Sequence, residues 1–567
     1  MKAKNLLLMA VMAGLSLTSV HAKTIYYVKV SGTGDGTSWG NAAGNIQDMI
    51  DKAVAGDEVW VAVGTYFPTT QTGTSENSKT FLIKDGVNLY GGFAGNETSI
   101  NNRQLRPDVG EGKTEIWELT NETFLSGGID NENDSWSQTD FFGEAWRWSV
   151  SGAGGDCQTV VTCSADVISE TYIDGFFICC GNYRGIDTRG KTIIQNCIVG
   201  FNPGRGIYNE IGVIANCYIG INSGGGIYNS TGTVSNCMID RNTVYDNLGV
   251  RCDGGGVINV SGDIIDCDIM NNQAITFQAS AMNYGINPTG YGGGISTESG
   301  KIDKCRVMNN TLFSYNTATG GSMLSALALG GGIYAKTDGV ISNCCIFNNK
   351  AKAVKKSTYY GATAGSQGGG VYGSGLYVYN STVVNNSSDG YKDIYANNSV
   401  NCTSTTSDLN QNFIHPTTFV GIASNDQQKS EIMQADWHLL AGSEYIDAGS
   451  LDNLPDWVIN GTDLAGNPRT HDGKISVGAY EYDALYTGIQ KVSTVQGIAV
   501  FPSPAADFIT VSGLHGNETL RFYNINGQLL LTRKASGEIE SVTVGNLPSG
   551  IYLLKVDNGQ IIKWIKR

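Results

Sequence analysis

Six cysteines recur at one place in a repeated phrase: Cys197, Cys217, Cys237, Cys267, Cys305 and Cys344, with gaps of 20, 20, 30, 38 and 39 residues. Thiols in such a series could hold a soft metal, cross-link the chain or carry redox chemistry. A thiolate metal site needs clustered spacings such as C-x-x-C, and the sequence has none. The chain holds 13 cysteines, an odd number, so at least one is unpaired within a monomer. Packing is therefore the expected role, with Cys252 and Cys345 facing outward or lying in a loop.

Charged residues offer a second chemistry. Arg251, Asp253, Asp266, Asp268 and Arg306 fall in the repeated region. An enzymatic reading makes Asp266 and Asp268 calcium ligands beside a base, Arg251 or Arg306, that removes a proton α to a sugar carboxylate. Against it, Asp268 and Arg306 hold one repeat position on successive copies, and Asp266 and Lys304 hold another. Stacking then predicts an opposite-charge ladder. Histidines are absent from 160–400, and no G-x-S-x-G, H-E-x-x-H, P-loop or EF-hand pattern occurs. No catalytic residue and no cofactor is expected, with calcium reserved for the lyase alternative.

The elements that position these residues follow from the repeat. Ten residues before the cysteine stand Ile207, Ile227, Val257 and Ile295; two after it stand Ile219, Ile239, Ile269, Val307 and Ile346. Five after it comes an asparagine every time: Asn202, Asn222, Asn242, Asn272, Asn310 and Asn349, with Asn386 in a copy where Ser381 replaces the cysteine. Twenty residues are too few for a strand and a packed helix but suffice for one turn of a parallel β-helix. Equivalent positions then stack about 4.8 Å apart. The predicted fold is all-β: a right-handed parallel β-helix over 23–485 with a capping helix near 46–54, regular coils over about 160–400, and a small C-terminal β-sandwich. Apolar columns form the core, the asparagines an amide ladder, and the cysteines a small inward column whose parallel Cβ vectors disfavour disulfides.

Insertions of growing length, 243–253, 273–291, 311–329 and 350–367, follow the column asparagine on one corner of the coil. These side loops carry Tyr245, Phe277, Tyr284, Tyr291, Phe313, Tyr315, Tyr359 and Tyr360. The ridge has two readings: a self-packed side layer, or a binding surface for sugar rings built from Tyr284, Tyr291, Phe313, Tyr315, Tyr359 and Tyr360.

The chain of 567 residues has 75 glycines and a formal net charge of −15. Acidity disfavours nucleic acid and anionic lipid as partners. Residues 1–22 combine Lys2 and Lys4 with an apolar run ending V-H-A, a secretory signal cut between Ala22 and Lys23. No later segment has the roughly 20 apolar residues of a membrane-spanning helix. A monomer is expected.

The motifs carry two resemblances. GGGIYN followed by NCxI and xxNN resembles the repeats of polymorphic outer-membrane-type surface proteins, within the pectate-lyase-like superfamily of right-handed parallel β-helices. The polygalacturonase motifs N-T-D, D-D, G-H-G and R-I-K and the pectate-lyase W-I-D-H segment are missing, so the resemblance implies architecture and not catalysis. Residues 498–567, after a linker at 486–497, contain VFPSPAADFITV, FYNINGQLL and NLPSGIYLLKV. They resemble the C-terminal sorting domain of the type IX secretion system of Bacteroidetes, through Pro502, Pro504, Gly527, Pro548, Gly550 and Tyr552. This implies export through the periplasm and across the outer membrane by that machinery. The expected protein is a secreted, cell-surface adhesin or scaffold contacting an extracellular glycan or a host or cell-surface protein. The alternative is a polysaccharide lyase or glycoside hydrolase of the same fold.

Overall fold

The computed structural model describes residues 22–106, 118–129, 135–248, 250–278, 287–317, 325–356, 363–404, 437–440, 442–482, 499–501, 505, 508–512, 514, 516–524, 528–537, 539–548, 550–556 and 561–566. Two units are present, 1–482 and 483–567.

One coil shows the local rules of the first unit. In the strand Arg205–Asn209, Ile207 and Asn209 are buried while Tyr208 is only partly covered, the alternation of a strand with one face inward. Val213–Ala215 follows, and then Asn216 alone turns the chain with φ 53° into Tyr218–Gly220. Asn196, Asn236, Asp266, Lys304, Asn343 and Asn380 take the same left-handed conformation at this corner. Asn and Asp tolerate it best, because their short side chains bond locally. A second corner falls just before the column asparagine, at Ile221, Arg241 and Asn271.

Successive coils pair in parallel, carrying Ile207 onto Ile227, Val257, Ile295, Ile333, Val371 and Ile394, with a register shift only between Gly373 and Tyr377 in the last of these pairings. Three strand columns result. The first two merge at Val371–Tyr379, which pairs with both, and the third is a ten-stranded sheet. The fold is thus a parallel β-helix. The helix Ile46–Lys52, capped by Asn45, buries Ile46, Met49 and Ile50 at the N-terminal end.

Inside, each column asparagine donates from Nδ2 to the Oδ1 of the next, from Asn202 through Asn386, at 2.8–3.0 Å. Asp393 accepts the last bond at 3.1 Å. This ladder explains the third glycine of each GGG phrase: a Cβ on Gly256 would lie 2.9 Å from the Asn272 amide nitrogen. A second ladder, Asn209 to Asn229 to Asn259, runs at the turn after the first strand.

The cysteine column is buried, and each Sγ donates to the carbonyl two residues earlier, as from Cys197 to Gln195 O and Cys217 to Ala215 O, both 3.2 Å. Ser381 Oγ makes the same bond to Tyr379 O at 2.8 Å. A small side chain with one donor satisfies the bend, so serine can stand in for cysteine.

Cys345 faces outward from the coil as expected but is covered, and the expectation for Cys252 is corrected. Cys345 occupies an outward position of the third sheet yet is fully buried. Residues 437–482 lie over that face, where Trp437, Leu439 and Tyr480 pack with Tyr218, Met238, Met308 and Phe347. Cys252 is buried inside the ridge beside Ala274 and Leu312.

The described parts of the insertions are largely strands. Thr243–Asp246, Gln273–Gln278, Thr311–Asn316 and Lys350–Lys355 form one parallel sheet; Arg251–Asp253, Thr289–Tyr291, Ala326–Leu329 and Ala364–Gln367 form another. Small residues, Ala274, Ala328, Ala351 and Ala353, fill the space between them. The hairpin Ser135–Phe141 with Ala145–Ser151 covers the outer face of the first, packing Phe141 against Ile275, Phe313 and Tyr315.

The second unit has two antiparallel sheets around Ile509, Val511, Leu520, Phe522, Val542, Leu554 and Trp564. Tyr552 Oη donates to Pro548 O at 2.7 Å, and Gly550 begins the strand Gly550–Val556. Pro502, Pro504, Gly527 and the linker 486–497 lie outside the described residues, as do 1–21. Ala22 is exposed, and Lys23 pairs with Glu58 at 2.9 Å.

Candidate functional site

The side chains most able to meet a ligand stand on the outer face of the first sheet. Directly after the inward isoleucine or valine of each first strand lies one outward position. Stacking brings Asp187, Tyr208, Tyr228, Ile258, Ser296, Tyr334, Tyr372 and Tyr395 into one row. Tyr208 and Tyr228 stack at 4.8 Å and 3°, Tyr372 and Tyr395 at 4.7 Å and 8°, and Tyr334 and Tyr372 at 6.0 Å and 7°. All five rings are partly exposed. Tyr291 leans in from the ridge to lie 4.5 Å from Tyr334, so it bridges the row where Ser296 supplies no ring.

Arginines flank this stripe. The Arg184 guanidinium lies 4.3 Å from the Tyr208 ring and that of Arg251 4.8 Å from Tyr291. Asp187 is held by Arg184 and Arg189. Arg251 Nε bonds Asp253 Oδ2 at 2.6 Å, while Asp253 Oδ1 is buried with no hydrogen-bond partner among the described residues. Desolvation pushes the Asp253 carboxyl above its usual range, opposed by Arg251. Arg205 forms no ion pair among the described residues; burial, reinforced by repulsion from Arg184, lowers it to about 10.

The structure separates the other residues singled out by sequence. Asp268 and Arg306 form a two-pronged pair at 2.6 and 2.8 Å on the third sheet, with Asp268 buried. Asp266 is a corner residue paired with Lys304 at 3.3 Å. Asp268 is thus occupied by Arg306 and Asp266 by Lys304. Among the described residues no group of three or more His, Cys, Asp or Glu is placed to hold a metal.

Of the ridge aromatics, Phe313 and Tyr315 are buried beneath the hairpin and present no ring face to solvent. Tyr245 is partly buried under Arg147 at 4.2 Å. Among the described ridge aromatics Tyr291 alone joins the exposed stripe; Tyr284, Tyr359 and Tyr360 fall outside the described residues. The stripe tyrosines are hard to single out by sequence because they sit inside the repeat. Their signal was the residue after the column isoleucine, Tyr in five of seven copies from Tyr208 to Tyr395. A shallow concavity of 340 Å³ near the N-terminal end, lined by Lys84, Asp85, Asp166 and Val167 among others, contains none of these groups.

Comparison with known proteins gives one family and several distant folds. The family model of the secretion system C-terminal sorting domain matches residues 499–567. The chain therefore carries a type IX sorting domain and is secreted to the cell surface or extracellular space. No helix among the described residues is long and apolar enough to cross a membrane. No curated protein matches. Among solved structures, the chain is similar to pectate lyase Pel9A, at 14% identity over 82% of this chain and 98% of that one, with a TM-score of 0.41. It is also similar to a rhamnogalacturonan lyase, at 14% identity, 70% and 91% coverage and a TM-score of 0.31. PorZ, a surface component of the type-IX secretion system of Porphyromonas gingivalis, is 21% identical over 14% of this chain and 13% of its own, at a TM-score of 0.12. The fold assignment rests on the strand pairing and not on these scores.

Proposed function

We propose that the secreted solenoid is a non-enzymatic scaffold at the cell surface that holds an extracellular glycan chain along its tyrosine stripe. The observation that carries this reading is the row of partly exposed rings, Tyr208 and Tyr228, then Tyr291, Tyr334, Tyr372 and Tyr395. Rings in a row offer edges and hydroxyls at intervals along the solenoid axis, which suits an extended polymer of polar rings with apolar C–H faces. The arginines beside them add fixed donors.

The carboxylates of the stripe are engaged, Asp187 by two arginines and Asp253 by one. One observation favours the lyase or hydrolase alternative: the buried Oδ1 of Asp253, without a hydrogen-bond partner among the described residues and on a carboxyl that desolvation pushes above its usual range, lies beside Arg251.

A glycan array probed with the secreted protein, together with incubation on uronate-containing and neutral polysaccharides, tests both. Tyr334→Ala with Tyr372→Ala removes two contacts of about 1 kcal/mol each and is expected to weaken binding roughly thirtyfold. Binding without new chain ends supports the scaffold. Cleavage that disappears in Asp253→Asn overturns it in favour of the enzyme. Absence of any glycan binding leaves a cell-surface protein as the contacted partner.

A further inference from the structure

A sorting domain is read by other proteins, so part of the surface of 499–566 is a docking site. In its four-stranded sheet, Thr519–Asn524 and Gly550–Val556 are central. Ile561–Lys566 lies at one edge, where Ala505 bridges Lys566. Leu529–Lys534 forms the other edge and pairs only with Thr519–Asn524 among the described strands.

That open edge is unusual in composition. Leu529 is 50% exposed and Leu530 37%, Leu531 is partly exposed, and Thr532, Arg533 and Lys534 are exposed. Apolar side chains on an unpaired edge invite another strand, and isolated domains blunt such edges with charges, proline or bulges. Here charge appears only at the far end, where Arg533 Nε is held by Glu540 at 3.3 Å and Lys534 makes no ion pair among the described residues, and the one bulge leaves Leu530 as an extra residue between Leu529 and Leu531 without removing the apolar run. The other strongly exposed apolar residues of the unit, Phe508 and Ile539, pair with Thr543 and Ser512 at opposite ends of the second sheet and form no row.

We propose that Leu529–Lys534 is the strand by which the secretion machinery grips this domain, through a receptor protein that adds a strand of its own beside it. Main-chain hydrogen bonds along the edge supply affinity, apolar pockets take Leu529 and Leu530, and an acidic group on the receptor meets Lys534. The occupant is a receptor of the export machinery because the matched family defines the domain by being sorted, and strand addition reads a folded edge without unfolding it.

The full chain, produced in a bacterium with a type IX system, provides the test through its distribution between periplasm and exterior. Leu529→Lys with Leu530→Lys charges the edge and is expected to lower export about tenfold while the precursor accumulates in the periplasm. Ile539→Lys, an equally exposed change elsewhere in the unit, is expected to export normally. Because all three side chains are exposed, the melting curves of the purified variants should match the parent. A photo-crosslinker at Leu530 should trap a machinery component, and one at Ile539 should not. Normal export of the edge variant overturns the proposal, as does equal loss in both variants. Self-association of the parent that the edge change abolishes, with export intact, assigns the edge to a second copy and also overturns it. Failure of the parent to be exported contradicts the sorting assignment itself, a result separable from the others.

Discussion

Asn272 shows what a single residue does in a stacked fold. Its Oδ1 accepts from the backbone N–H and the side-chain amide of Asn242, both at 3.0 Å, and its Nδ2 donates to Ile239 O and Asn310 Oδ1. Asn272→Ala takes the acceptor from the buried Asn242 backbone N–H, at about 1–3 kcal/mol, while the Asn242 amide keeps Ile219 O and Asn310 Oδ1 keeps the Asn272 N–H. The urea midpoint should fall accordingly, by more than for Ser261→Ala on the exposed turn. The thiols make a second prediction at this scale. Burial pushes Cys157 and Cys402 up to about 12, and raises Cys267, Cys305 and Cys344 well above the usual 9.0. The folded chain thus holds these protons more tightly than the unfolded chain does. Stability should be unaffected below pH 9 and should fall as pH rises from about 9 towards 12, as the unfolded state ionises first. A thiol reagent at pH 8 should leave the repeat cysteines unmodified until the protein is denatured.

The ridge is an element built on an element. Its two sheets approach closely because alanines line the space between them, and its aromatic outer face is closed by the hairpin at 135–151. Ala274→Leu forces a larger side chain into that space and should cost about 1–3 kcal/mol. Hydrogen exchange should then quicken in 273–278 while the coil strands stay protected. The hairpin decides a question the aromatic count leaves open. Eight aromatic residues in the insertions are compatible with a binding face or a packed layer, and Phe313 and Tyr315 belong to the packed layer.

At the scale of the whole molecule, an acidic parallel β-helix is joined in sequence to a sorting domain that sends it out of the cell. Much of this was legible because a parallel stack places equivalent residues of every coil in one environment. The columns Ile207–Val371 and Asn202–Asn386 are therefore written into the sequence as a period. The sorting domain was legible because its turn and strand motifs follow in order over about 70 residues. The covering of the third sheet was not legible, since residues 437–482 reach Cys345 and Met238 from far along the chain and share no repeat with them. The tyrosine stripe lies between the two cases. Its repeat tyrosines stand openly after the column isoleucine or valine, yet gaps of 20 to 39 residues separate the coils. Sequence by itself determined the coil, its inward columns and the export signal, because those depend on local alternation and repetition. Tertiary structure alone decided which outward rows remain open to solvent, because a row is open or covered according to what distant chain packs over it.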